Sequence, residues 1–172
     1  MATFVVLIRG INVGGNNKLP MKSLMPLLTQ AGYKDLQYYI QTGNIVLTSD
    51  DEPTATLKKI IFEQVNFTPE IITLTSEQFL KAQANCPYNT NDGKLVHYYF
   101  CKSSPQVNQA KIDKYLSDNE QYCLINKVLY LHAPDGIGRS KLVANMESCI
   151  GTPATARNLN TINKISEMLG LS

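Results

Sequence analysis

The chain has 172 residues, of which 44% are hydrophobic and 17% charged, and its formal net charge is only +2. That composition excludes disorder, and the length allows one core or two small halves sharing one. A charge so near zero lacks the footprint of an obligate nucleic-acid binder, and no apolar run reaches bilayer-spanning length. The run Phe4 to Ile8 is too short for a signal peptide and follows no basic segment, so a cytoplasmic protein is expected. Cys86, Cys101, Cys123 and Cys149 form no C-x-x-C pair and no metal spacing. They read as reduced, buried thiols, and neither a metal nor a cofactor is expected.

Taken in chain order, Thr3 to Ile8 is a β-branched run that reads as a strand buried on both faces. Pro20 suits the start of a helix whose stripe is Leu24, Leu27, Leu28 and Ala31 and whose end is Gly32. Pro26 within it predicts a kink or a late start. Leu36 to Ile40 and Ile45 to Thr48 read as strands joined by the tight turn Gln41-Thr42-Gly43-Asn44. A helix from Pro53, with Leu57, Ile60, Ile61 and Val65 inward, and a strand Glu70 to Leu74 complete a βαββαβ order.

The second half repeats the theme. Helix is predicted over Ser76 to Ala84 with Thr75 as its N-cap, strand over Leu95 to Cys101, and helix over Gln106 to Leu116. Tyr122 to Ile125 and Val128 to His132 pair across Asn126-Lys127, and helices follow around Gly138 to Ser148 and Leu159 to Leu169. The order αβαββαα suggests a half-unit whose closing strand has become a helix. The expected fold is α+β, with two ferredoxin-like halves, 1–74 and 75–172, packed as one body and an extra C-terminal helix on the second.

Three polar stretches stand out. The first, Arg9-Gly10-Ile11-Asn12-Val13-Gly14-Gly15-Asn16-Asn17-Lys18, joins a strand to a helix and holds no acid. Leu19, at the expected N-cap, offers no side-chain acceptor, which leaves the N–H groups of Met21, Lys22 and Ser23 open to an anion. The spacing matches neither phosphate-loop pattern, and a glycine-rich crossover capped by its own asparagines fits the residues equally. Topology places Gln41 and Asn44 on the same sheet edge as Arg9. There they would orient Arg9 or touch its ligand, or serve only the turn.

The second stretch, Asp135-Gly136-Ile137-Gly138-Arg139-Ser140-Lys141, repeats the strand, glycine turn and helix start, with Asp135 as a possible cap. In the third, a helix beginning by Arg157 would place Arg157, Thr161 and Lys164 on one face, next to Asn158. Solvation alone would also explain such a face.

The chain has thirteen lysines and three arginines, and all three arginines fall in these stretches. Arginine is a rigid fork suited to phosphate or carboxylate, where lysine is a mobile point charge. At least two of the three are expected to face one shared cleft between the halves.

Leu7-Ile8-Arg9-Gly10-Ile11-Asn12-Val13-Gly14-Gly15 with Lys18 and Pro20-Met21, then Tyr39-Ile40-Gln41-Thr42-Gly43-Asn44, form two signatures. Asp135-Gly136-Ile137-Gly138-Arg139-Ser140-Lys141-Leu142 and Thr155-Ala156-Arg157-Asn158 follow in order. Together they resemble the domain-of-unknown-function 1697 family, an uncharacterised bacterial family. The resemblance implies two ferredoxin-like halves and brings no activity. Leu159 stands where that family often has tryptophan, so a stacking role there does not carry over.

The residues support three functions. The first is a binding module for a phosphate-bearing or other anionic ligand, a nucleotide or a nucleic-acid backbone. It would use Arg9, Asn12, Gly14, Gly15, Asn17, Lys18, Gln41, Asn44, Arg139, Ser140, Lys141, Arg157, Asn158, Thr161 and Lys164. The second is an enzyme on a phosphorylated small molecule, with Asp135 or His132 as the nearest acid–base candidate. The third is a structural or assembly role. The sequence carries no recognisable catalytic set, and no membrane partner is expected.

Overall fold

The computed structural model describes residues 1–15 and 17–170. Asn16 of the first glycine stretch lies outside the described residues. The chain forms two compact units, one of Met1–Lys81 plus the segment from Asn163 onward, the other of Ala82–Ile162.

The first unit runs β1 (Ala2–Ile8), α1 (Met21–Gln30), β2 (Lys34–Tyr39), β3 (Asn44–Ser49), α2 (Thr54–Val65) and β4 (Ile71–Thr75), then enters α3 (Ser76–Ala84). Its sheet order is β2-β3-β1-β4, with every neighbouring pair antiparallel. This is the split βαββαβ arrangement. The apolar run of β1 takes an inner position, where a strand needs both faces covered. Phe4, Val6 and Ile8 join Leu24 and Leu28 of α1 and Leu57 and Ile61 of α2 in one core, while Val5 and Leu7 are buried on the opposite face. Pro26 lies inside α1 on its exposed side. The bond it forfeits belongs to the carbonyl of Lys22, also exposed, which water can satisfy. The hairpin turn falls one residue earlier than predicted, at 40–43, so Asn44 opens β3 instead of lying in the turn.

The second unit holds the end of α3, a single 3-10 turn (Gly93–Leu95) and β5 (Val96–Cys101). After these come α4 (Gln109–Tyr115), β6 (Gln121–Ile125), β7 (Val128–His132), α5 (Lys141–Ala144), α6 (Met146–Ile150), β8 (Ala154–Asn158) and the start of α7 (Leu159–Met168). The sheet order β6-β7-β5-β8 reproduces that of the first unit position for position. Thr75 caps α3 as expected, its hydroxyl accepting from the Gln78 N–H while the Gln78 side chain accepts from the Thr75 N–H.

The expected loss of the closing strand is corrected by β8, which pairs antiparallel with β5 from Ala154 opposite Cys101 to Asn158 opposite His97. Its sequence Ala-Thr-Ala-Arg-Asn is weak in intrinsic strand preference. Pairing with a buried partner strand imposes the conformation. The helix that follows starts at Leu159, where its apolar stripe places it and not by Arg157, because the Asn158 side chain accepts from the Thr161 N–H. Arg157 therefore belongs to a strand and shares no helical face with Thr161 and Lys164.

His97 is 7% exposed on β5, its Nδ1 has no hydrogen-bond partner, and burial pushes its pKa below the ordinary 6.5. Below pH 6.5 the unfolded chain takes up a proton that the native chain resists, so stability falls as the pH drops from 6.5 toward the lower native value. One such proton gives a slope of at most about 1.4 kcal/mol per pH unit. Urea unfolding of wild type and His97→Phe across this range is expected to show the slope in the wild type alone. Equal slopes in the two proteins would remove His97 as its source.

Candidate functional site

In a split βαββαβ unit the end of the first strand and the turn between the second and third share one sheet edge. The α1–β2 and β3–α2 connections share the other. Each unit places its polar motif differently on this frame.

In the first unit the first glycine loop meets the β2–β3 turn, as topology demands. Asn12, at φ 55, spends its side chain on backbone. Its Nδ2 donates to the carbonyls of Leu19 and Gln41, both at 2.7 Å, and its Oδ1 accepts from the Leu19 N–H at 2.7 Å. Asn17 donates to the Gly10 carbonyl at 3.1 Å, and its own carbonyl accepts from the Asn12 N–H. The Gln41 side chain accepts from the Met21 N–H at 3.0 Å, and Ser23 N–H bonds to the Pro20 carbonyl. The expected open amides at the start of α1 are thereby corrected for Met21 and Ser23. Asn44 is fully buried and ties the turn by donating to the Tyr39 carbonyl and the Thr42 hydroxyl, so it does not present itself to a ligand. Gly43 is required where it stands, since a Cβ there would lie 2.7 Å from Ile8 Cβ. Arg9 engages other groups of the chain. What faces outward is Gly14, Gly15 and Lys18, beside a small depression of about 290 Å³ lined by Asn12, Gly15, Lys18, Pro20 and Gln41.

The second unit puts its polarity on the other edge. The α4–β6 connection spans 116–120 and the β7–α5 connection 133–140, against 31–33 and 50–53 for their counterparts in the first unit. The longer loops frame a cavity of about 620 Å³ lined by Ser117, Asn119, Glu120, Asp135, Gly136, Gly138, Arg139 and Ser140. Arg139 is exposed on its wall. Among the described residues its guanidinium has no ion-pair or hydrogen-bond partner, although two carboxylates line the same cavity.

Those carboxylates are held by other donors. Glu120, 7% exposed, accepts from the Ser117 N–H at 2.9 Å through Oε1 and from the Ser140 hydroxyl at 2.6 Å through Oε2. Burial pushes its pKa up, but these hydrogen bonds outweigh burial and hold it below the ordinary 4.5. Asp135 accepts from the Asn119 amide. The cap of the next helix is not Asp135 but Ser140, whose hydroxyl accepts from the Val143 N–H. Ser140, closer to the helix, already meets that need.

Of the two arginines in the second unit, Arg139 lines the cavity and Arg157 does not. Arg157 sits opposite Tyr98 on β8, donates to the Ala156 carbonyl, and burial pushes its pKa down to about 10. Thr161 is buried, Lys164 pairs with Glu167 at 3.4 Å, and Lys141 is exposed outside the cavity lining. His132 ends β7 with its ring 5.7 Å from that of Tyr88. Among the described residues no group of three or more His, Cys, Asp or Glu side chains is placed to hold a metal ion. Sequence reasoning passed over Ser117, Asn119 and Glu120. Their signal is the Ser-x-x-Glu spacing, a capping-box pattern away from any long helix.

Two stability predictions follow from this geometry. Asn12→Ala removes three backbone partners, one of them the buried Leu19 N–H, and is expected to cost about 2–4 kcal/mol in urea unfolding. Asn12→Gly relieves the positive φ and is expected to recover less than half of that loss, whereas full recovery would assign the effect to backbone strain. Glu120 stabilises fully above its unfolded pKa of 4.5, and this contribution is lost as the pH falls through its lower native value. The stability gap between wild type and Glu120→Gln should narrow over that acid range, and a constant gap would refute the assignment.

No curated protein matches the chain. A conserved bacterial protein, SP0830 from Streptococcus pneumoniae, has the same fold, with a TM-score of 0.71 over 98% of both chains at 24% sequence identity. The family model described as "Protein of unknown function (DUF1697)" matches residues 1–130, which take in the glycine loop, the β2–β3 turn and Glu120. By that match, over most of its length, the chain belongs to the DUF1697 family.

Proposed function

We propose that the second unit binds a small phosphate-bearing ligand in the cavity between the α4–β6 and β7–α5 connections, with Arg139 as the anion-binding fork. One observation carries the reading. Among the described residues Arg139 has no partner of its own on the cavity wall, while the neighbouring carboxylates are held by Ser117, Ser140 and Asn119. A guanidinium left open in a chain that elsewhere prefers lysine is suited to a bidentate anion. A cavity of about 620 Å³ is the size of a small-molecule site.

The first glycine loop has a different part in this reading. Its asparagines and Gln41 serve the backbone, and Lys18 with Gly14 and Gly15 form at most a secondary anion edge. A cytoplasmic, bacterial setting fits the four free cysteines and the bacterial structural relative. No helix among the described residues is long and apolar enough to cross a membrane.

Titration calorimetry with nucleoside monophosphates and with short RNA and DNA, at low and high salt, tests the proposal. Arg139→Ala should weaken phosphate-ester binding by about 1.5–3 kcal/mol, or roughly ten- to hundredfold, and Arg139→Lys should recover only part of it. The absence of any phosphate-dependent binding, or equal binding by Arg139→Ala, would defeat the proposal.

A further inference from the structure

The cavity has two kinds of wall. Its charged lining is one guanidinium, Arg139, against two carboxylates, Glu120 and Asp135. Among the described residues no ion pair joins them. Opposite charges that share a cavity without closing on one another leave the space between them for a third body. That body must present an anion at the Arg139 end and hydrogen-bond donors at the carboxylate end.

The carboxylate end is preorganised as an acceptor. Glu120 is held ionised by its hydrogen bonds from Ser117 and Ser140 and is buried, so its position is fixed and it has no proton to donate. Its two oxygens offer about four acceptor directions, and the donors from Ser117 and Ser140 leave room for a ligand hydroxyl. Asp135 is exposed, Asn119 orients it through Oδ2, and Oδ1 has no donor among the described residues. An ionised carboxylate accepts hydrogen bonds only. A second phosphate at this end would meet like charge, and a bare hydrocarbon would strand the acceptors. Hydroxyl groups satisfy them, as ribose hydroxyls satisfy acidic side chains in dinucleotide-binding folds.

We infer that the ligand is a monophosphorylated polyol, a sugar phosphate or nucleoside monophosphate, whose phosphate lies on Arg139 and whose hydroxyls are read by Asp135 and Glu120. This rests on the phosphate reading of the same cavity and narrows it in two ways. A polyanionic nucleic-acid backbone is disfavoured, because the charged lining sums to one excess negative charge. Specificity comes from the hydroxyls of the carbon skeleton, with the phosphate supplying the anchor.

The test is calorimetry on the full chain with inorganic phosphate, ribose 5-phosphate, adenosine monophosphate, its 2′,3′-dideoxy form, phosphoethanolamine and a short single-stranded RNA. At least one of the two hydroxyl-bearing monophosphates should bind tenfold or more above inorganic phosphate, phosphoethanolamine and the RNA. If that ligand is adenosine monophosphate, its dideoxy form should lose the advantage. Asp135→Asn replaces an exposed acceptor oxygen with a donor and leaves an oxygen for Asn119. It should erase most of the preference for hydroxyls while binding inorganic phosphate as well as or better than wild type. Arg139→Ala should lose all the phosphate ligands together. Binding that depends on Arg139 but ignores hydroxyls, or that favours phosphoethanolamine or RNA, overturns the polyol inference and leaves the phosphate reading standing. Failure of every phosphate ligand, inorganic phosphate included, overturns both.

Discussion

Backbone groups at a sheet edge must find partners, and in the first unit a single side chain, that of Asn12, satisfies three of them. Asn12 joins its own loop to Leu19, two residues before α1, and to the β2–β3 turn by three bonds of 2.7 Å. Gln41, reached by one of those bonds, extends the chain of contacts to the first amide of α1. The loop, the turn and the helix start thus share one hydrogen-bond network. An apolar residue at position 12 would leave the buried Leu19 amide unpaired and the glycine-rich segment unconstrained.

The same topology gives opposite results in the two units because connection length differs. Short α1–β2 and β3–α2 connections leave the far edge of the first unit with an acidic turn, Asp50-Asp51-Glu52, and no arginine. In the second unit the corresponding loops are longer, and Glu120 draws them together by accepting from Ser117 on one and Ser140 on the other. The carboxylate that builds the cavity also helps to line it. Burial and cavity lining are therefore linked at Glu120 in a way they are not at Arg139, which can be exchanged without removing any internal bond among the described residues.

Most of the fold was legible from periodicity. The β-branched run of β1, the stripes of α1 and α2 and the Asn126-Lys127 hairpin each carry a local signal that agrees with the final architecture. β8 was not legible, because its small and polar residues hold a strand only through pairing with β5. The glycine stretches were correctly seen as edges, while the choice between a ligand and the loop's own backbone as the partner of their asparagines stayed open. An asparagine that donates to a ligand and one that donates to a carbonyl across the loop look alike in sequence. Only the positions of Leu19 and Gln41 show that Asn12 is the second kind. Glu120 lay outside the glycine-rich pattern and came into view only when the α4–β6 loop met the β7–α5 loop.

The first unit is discontinuous in sequence. It needs the segment beyond Asn163, and the Gln37 side chain on β2 donates to the Met168 carbonyl at 2.9 Å. On the ribosome, the residues of β1 to β4 emerge first, yet this partner of Gln37 emerges after the whole of the second unit. The second unit is continuous and holds all its parts once Ile162 has cleared the exit tunnel. Synthesis therefore releases the two halves in an order opposite to their numbering, with the N-terminal half waiting on the C-terminal helix for its last contacts.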